Sequence, residues 1–194
     1  MKQTFLNLAT AYVYESQARN RYSFYASTAR KEGFEQIASI FQETADQEKE
    51  HASQLFKLVL ELGQEEENAG DLKLDGVDVP KVRGTTEENL AAAIAGETHE
   101  YTQMYPEFAE VADKEGYAKV AAKFRAIAKA ENHHADRYTK LYELVKDDRV
   151  FQRGEEMVWV CRECGYLHVG KEAPLICPSC EHAQAFYEVE CENY

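Results

Sequence analysis

Two glycines frame this chain. Glu15 and Glu48 lie 33 positions apart (15 to 48) with their midpoint near Gly33, and Glu97 and Glu131 lie 34 apart (97 to 131) with theirs near Gly116. In an antiparallel helical hairpin, residues equidistant from the turn lie level with each other, so each hairpin presents carboxylates at mid-height. The motifs Glu48-x-x-His51, Glu97-x-x-Glu100 and Glu131-x-x-His134 each add a second donor on the same helix face, about one turn away. A single such motif is what any solvated acidic helix face produces. Together they imply one internal site shared by four helices, because burying this many carboxylates demands compensating cations.

Apolar periodicity supplies the helices. One run spans positions 4–30 through Leu8, Ala11, Tyr12, Ala18, Tyr22, Tyr25 and Ala29, and a second spans Ile37, Phe41, Ala45, Leu55 and Leu58 to Leu62-Gly63. Positions 64–84 break the pattern with glycines, a proline and an acidic run, and read as a long crossover. Thr85-x-x-Glu88 then offers a capping box for a third helix running to about Lys114, and Gly116 leads into a fourth that ends near Lys146. Pro106 falls inside the third helix, where its ring should clash with the Thr102 carbonyl and kink the helix about one turn beyond Glu100.

The expected fold is mainly α: a ferritin-like four-helix bundle with a long crossover over 1–147, followed by a small β-rich domain over 155–194. Ferritin-like di-iron bundles use one Glu from each of two helices and Glu-x-x-His from each of the other two. On that pattern Glu48 and Glu131 are bridging ligands, His51 and His134 terminal nitrogens, and Glu15 and Glu97 terminal oxygens, which leaves Glu100 as one carboxylate more than the set needs. His99, His133 and Glu50 lie beside these motifs and read as surface or supporting groups.

Downstream, Cys161-x-x-Cys164 and Cys177-x-x-Cys180 form a second ligand set, flanked by β-type Val158-Trp159-Val160 and Phe186-Tyr187-Glu188-Val189. Four thiolates suit one tetrahedral iron or zinc, and Cys191 stands outside the motif as a spare thiol. Two unlike metal centres in one chain suggest internal electron transfer. Without a secretory signal, paired Cys-x-x-Cys motifs point to metal binding rather than disulfides.

The formal net charge of -13 argues against a nucleic-acid surface, which needs clustered Lys and Arg. No segment approaches the roughly 20 apolar residues that span a bilayer, so the chain is expected to be soluble and cytoplasmic, with no membrane partner.

The segments Glu15-Ser16-Gln17-Ala18-Arg19-Asn20-Arg21-Tyr22, Glu43-Thr44-Ala45-Asp46-Gln47-Glu48-Lys49-Glu50-His51 and Glu100-Tyr101-Thr102-Gln103-Met104-Tyr105-Pro106 resemble the helix signatures of the rubrerythrins. Cys161-Arg162-Glu163-Cys164-Gly165-Tyr166 and Cys177-Pro178-Ser179-Cys180 are similar to that family's rubredoxin-type knuckles. The resemblance spans essentially the whole chain. It implies a di-iron site on Glu15, Glu48, His51, Glu97, Glu100, Glu131 and His134, oxo- or hydroxo-bridged when oxidised, and a rubredoxin-type Fe(Cys)4 on Cys161, Cys164, Cys177 and Cys180. It also implies reduction of hydrogen peroxide to water in oxidative-stress defence, with electrons from a rubredoxin or an NAD(P)H-dependent reductase. By the same analogy His51 binds its iron in the reduced state and Glu100 in the oxidised state, as the harder ferric ion prefers anionic oxygen. Tyr22 and Tyr105 are expected beside the site, either as hydrogen-bond donors or as ordinary core tyrosines. Ferroxidase or storage activity of the ferritin type, and oxygen reduction, are the competing readings. The last helix runs about a dozen residues past His134, roughly 20 Å, so the two irons of one subunit should be far apart and a head-to-tail homodimer is expected.

Overall fold

The structure, a computed structural model, describes residues 2–64 and 71–192. Met1, positions 65–70 of the expected crossover and 193–194 lie outside the described residues. The helices are α1 (Gln3–Lys31), α2 (Glu35–Gly63), α3 (Thr86–His99), α4 (Tyr105–Lys114) and α5 (Ala118–Lys146), with a π-helical turn at Glu100–Met104 joining α3 to α4 into one rod. The small sheet comprises β1 (Gln152–Cys161), β2 (Leu167–Glu172) and β3 (Tyr187–Val189) in the antiparallel order β2-β1-β3.

Both glycines close their hairpins in the same way. Gly33 and Gly116 take positive φ, 85° and 89°, and the N–H groups of Phe34 and Tyr117 donate back to the carbonyls of Ala29 and Ala112 at 2.9 and 2.8 Å. A side chain at either glycine would be strained in this left-handed conformation, so the sequence breaks where the geometry requires it. The Thr85 capping box forms as expected: Glu88 N–H donates to the Thr85 hydroxyl and Thr85 N–H to the Glu88 carboxylate, at 3.3 and 2.8 Å. From Asp71 to Gly84 the crossover contains no regular element.

The irregularity near Pro106 takes a different form from the expected kink. The backbone widens into a π turn that begins at Glu100 itself, with the Tyr105 N–H donating to the Glu100 carbonyl, and Pro106 falls in the first turn of α4. A proline has no N–H and crowds the carbonyl four residues back; an i→i+5 turn just before it accommodates both.

Two apolar cores sandwich the acidic layer. One holds Phe5, Leu8, Leu55, Leu58 and Phe124, and the other Tyr22, Tyr25, Ile37, Phe41 and Tyr138. Each such side chain contributes about 2 kcal/mol by leaving water, which offsets the cost of burying polar groups between them. A third core gathers Trp159, Cys161, Ala173, Cys177 and Tyr187. The small sheet meets the bundle at the first hairpin turn, where Phe34 stacks on Phe151 with ring centroids 6.1 Å apart. Strand β2 was not expected from the sequence. Its side chains are mostly exposed, so it lacks the apolar alternation that marks a half-buried strand. Phe186 lies in a short 3-10 turn at Gln184–Phe186 rather than in β3.

Candidate metal centres

All seven bundle residues singled out from the sequence converge. Glu15 comes from α1, Glu48 and His51 from α2, Glu97 from α3, Glu100 from the π turn, and Glu131 and His134 from α5. Their donor atoms fall into two overlapping groups, Glu15–Glu48–His51–Glu131 and Glu48–Glu97–Glu131–His134, each with its atoms within 4.8 Å of one another. Glu48 and Glu131 belong to both groups, which is the arrangement expected of carboxylates that bridge two ions. Glu100 belongs to neither, yet is buried against them.

The contacts are those of donors facing a shared centre. His51 Nδ1 lies 2.9 Å from Glu48 Oε2 and 3.0 Å from Glu131 Oε1, while His134 Nδ1 lies 2.8 Å from Glu131 Oε2 and 3.1 Å from Glu48 Oε1. Donors about 2.1 Å from one ion sit roughly 3 Å from each other. His134 Nδ1, both Glu131 oxygens, Glu15 Oε2, Glu48 Oε1 and Glu97 Oε2 are buried with no hydrogen-bond partner among the described residues. Orphaned buried groups of this kind are costly, and a bound cation pair would satisfy all six.

The electrostatics give the same answer. Burial and the neighbouring Glu48 push Glu15 up to about 7, and burial with the surrounding carboxylates holds Glu97 and Glu100 well above the usual range. Burial alone would depress the imidazoles, but the facing carboxylates outweigh it, raising His51 far above its ordinary value and His134 to about 12. Metal-free, the cluster holds itself together with protons. Cations would replace them.

Further side chains orient these donors. Tyr22 donates its hydroxyl to Glu97 Oε1 and Tyr105 donates to Glu15 Oε1, so each carboxylate keeps one oxygen free for the centre. Both tyrosines are fully buried, and thus serve as core residues and as donors. Gln47 was given no role by the sequence reading. Its Oε1 lies 3.0 Å from His134 Nε2 and accepts a hydrogen bond from the N–H there, so that Nδ1 is the nitrogen that faces the site and would offer its lone pair once a cation displaces its proton. Its position next to Glu48 was the only signal available. His99, His133 and Glu50 are exposed and stand apart from the centre, as expected.

In the small domain, Cys161, Cys164, Cys177 and Cys180 place their sulfurs within 4.8 Å of one another. Cys161 and Cys180 are 3.8 Å apart, and Cys164 and Cys177 3.7 Å. Sulfurs at about 2.3 Å from a tetrahedral ion have roughly this spacing. Burial pushes Cys177 up, but the neighbouring Tyr187 hydroxyl and the N–H groups of Ser179 and Cys180 outweigh it and bring the thiol down to about 6. Gly165 turns the first knuckle with φ 76°, and Cys191 is exposed and free.

A family model described as rubrerythrin matches residues 7–142, and one described as the rubrerythrin rubredoxin-like domain matches 159–188. The chain belongs to the rubrerythrin family. It is 48% identical to rubrerythrin of Porphyromonas gingivalis over 97% of this chain and 90% of that protein. It is 45% identical to rubrerythrin of Nitratidesulfovibrio vulgaris, covering 94% and 92%. A solved structure of nigerythrin in a partially reduced state superposes with a TM-score of 0.64 at 29% identity, covering 96% of this chain and 86% of that one. As a rubrerythrin the chain joins a ferritin-like di-iron domain of carboxylates and histidines to a rubredoxin-like four-cysteine iron site, and these are the two clusters described above. Among the described residues no helix is long and apolar enough to cross a membrane.

Proposed function

We propose that this rubrerythrin is a non-haem di-iron peroxidase that reduces hydrogen peroxide to water, with electrons delivered through the rubredoxin-like iron. The observation that carries the reading is Glu100. Its carboxyl is buried one turn from Glu97, lies outside both donor groups, and faces the carboxylates of Glu97, Glu15, Glu131 and Glu48. A protein that only stores iron has no need of such a group. A site that alternates between oxidation states does, because the harder ferric ion favours an anionic oxygen over imidazole.

His51 is suited to be the exchanged ligand. His134 is anchored through Nε2 by Gln47, whereas His51 has no partner at Nε2 among the described residues and is the more exposed of the two rings, at 17% against 3%. A ferrous pair, if bound at this site, would supply the two electrons needed to cleave the O–O bond. Glu15, Glu48, Glu97 and Glu131 would hold it, Tyr22 and Tyr105 orient the terminal carboxylates, and Glu100 would replace His51.

The reading extends to the whole chain, taken as a bundle domain over 1–147 and an iron domain over 155–194. The small domain contacts the bundle at the α1–α2 turn. Glu48 lies about four helical turns from that end, roughly 20 Å, so electrons from the cysteine iron would reach the di-iron site of a second subunit in a head-to-tail homodimer. A rubredoxin or an NAD(P)H-dependent reductase in the cytoplasm would recharge it.

Stopped-flow mixing of the diferrous protein with peroxide and separately with oxygen tests the function. Oxidation by peroxide at least tenfold faster than by oxygen, with repeated turnover, is expected. Accumulation of many irons per chain would instead favour storage. Glu100→Ala should keep its iron and lose peroxide turnover at least tenfold, because the oxidised state loses its ligand.

A further inference from the structure

Reducing hydrogen peroxide to two waters takes two electrons and two protons. A site holding one ferrous and one ferric ion supplies one electron, and cleavage on one electron would release a hydroxyl radical. The environment of Tyr22 addresses this case. Its hydroxyl donates to Glu97 Oε1, so the phenol touches a carboxylate of the centre and already has a proton acceptor in place. Its ring lies 5.5 Å from that of Tyr138 and 6.1 Å from that of Tyr25, centroid to centroid.

The other half of the pseudo-symmetric site differs. Tyr105 donates to Glu15 in the same way, but its one ring contact among the described residues is Phe124, at 5.8 Å. Phenylalanine has no removable proton and resists oxidation. A radical on Tyr105 would have nowhere to go, whereas one on Tyr22 has other phenols beside it. The Tyr25 hydroxyl reaches the Val82 carbonyl at 2.8 Å, in the exposed crossover.

We infer that Tyr22 is an internal one-electron donor that completes peroxide reduction when the di-iron site holds one reducing equivalent instead of two, and that Tyr25 is its exit to the surface. The inference rests on the peroxidase reading. In the first step the Tyr22 O–H bond breaks: its electron joins the one ferrous electron in cleaving the O–O bond, and its proton passes to Glu97. With two protons from solvent, peroxide leaves as two waters, the ferrous ion becomes ferric, and Tyr22 is left as a neutral phenoxyl radical while Glu97 keeps the transferred proton. In the second step Tyr25 returns an electron to Tyr22, which recovers its proton from Glu97, while the Tyr25 proton leaves to water at the crossover. The oxidising equivalent is thereby moved from the buried site to an accessible edge.

The test mixes iron-loaded full-length protein with peroxide and traps it for electron paramagnetic resonance. Fully reduced wild type is mixed first; if it consumes no peroxide, the peroxidase reading and this inference both fall. The protein is then poised with one electron per di-iron site and mixed again. A phenoxyl signal is expected that is narrowed by incorporating ring-deuterated tyrosine, is lost in Tyr22→Phe and is kept in Tyr105→Phe. Spin-trapped hydroxyl radical should rise several-fold in Tyr22→Phe, and the phenoxyl lifetime should lengthen several-fold in Tyr25→Phe. Peroxide consumption without a phenoxyl signal, or the same signal in Tyr22→Phe, overturns the donor role while leaving the peroxidase reading intact. An unchanged lifetime in Tyr25→Phe overturns the exit step. Retained iron and helical circular dichroism in each variant establish that the fold is intact.

Discussion

Each of the two histidines presents Nδ1 to the pair of shared carboxylates, and the difference between them lies behind the ring. Gln47 accepts from His134 Nε2 across the α2–α5 interface, so His134 can neither rotate nor change tautomer without losing a buried bond. Supporting partners of this kind typically matter by a factor of 10–100 in metal affinity. Gln47→Ala should therefore release iron to a chelator about tenfold faster than wild type, with the loss confined to the di-iron site; the colour of the ferric thiolate centre, followed in the same sample, serves as the internal control. The donors themselves were legible in the sequence because i, i+3 spacing and equidistance from a turn are one-dimensional quantities. Gln47 was not, because its partner lies 87 positions away and nothing in a lone Gln distinguishes an anchor from a surface amide.

At the scale of elements, the π turn reconciles two requirements. Glu97 and Glu100 share a face at ordinary α spacing, but Tyr105 is five positions beyond Glu100, and at about 100° per residue an unbroken α-helix would carry it well off that face. One i→i+5 turn makes five residues span about one revolution, which brings Tyr105 back over the site to reach Glu15. Deleting Gln103, an exposed residue of that turn, should let the rod return to regular α-helix, retain far-ultraviolet helicity, and bind less than one iron pair per chain by metal analysis. Undiminished iron binding would count against the account. The proline was readable as a disturbance, but its form was not, because the choice between a kink and a π turn depends on where Tyr105 must point. The capping box, by contrast, uses side chains three residues apart and was readable outright. Thr85→Ala should lower stability by about 1 kcal/mol, seen as a thermal midpoint lower by a few degrees.

For the whole molecule, the acidic layer turns metal content into a question of stability and pH. The hairpins, the crossover and the two metal centres were foreseeable because each leaves a local mark in the sequence. The docking of the small sheet on the first hairpin turn was not, since it depends on pairs such as Phe34 with Phe151 that carry no local signal. That bundle is at odds with itself when empty. Glu15 titrates near 7 in the folded metal-free chain against an ordinary 4.5, and Glu97 and Glu100 are shifted the same way. Between those values the folded state holds protons that the unfolded state has released, so stability falls as pH rises. His51 and His134 are raised as well: their contribution is complete below the ordinary 6.5 and is lost progressively as pH climbs towards the folded value, about 12 for His134. All five groups thus act with the same sign. Iron reverses the dependence, because its ligands bind deprotonated and its affinity rises with pH. The thermal midpoint of the bundle should be highest near about pH 5 without metal and decline by several degrees towards about pH 8.5, while the iron-loaded protein stays nearly level. Calorimetry of both forms across that range should therefore show the gap between them widening with pH, and a constant gap would mean that the buried carboxylates and histidines are not what iron stabilises.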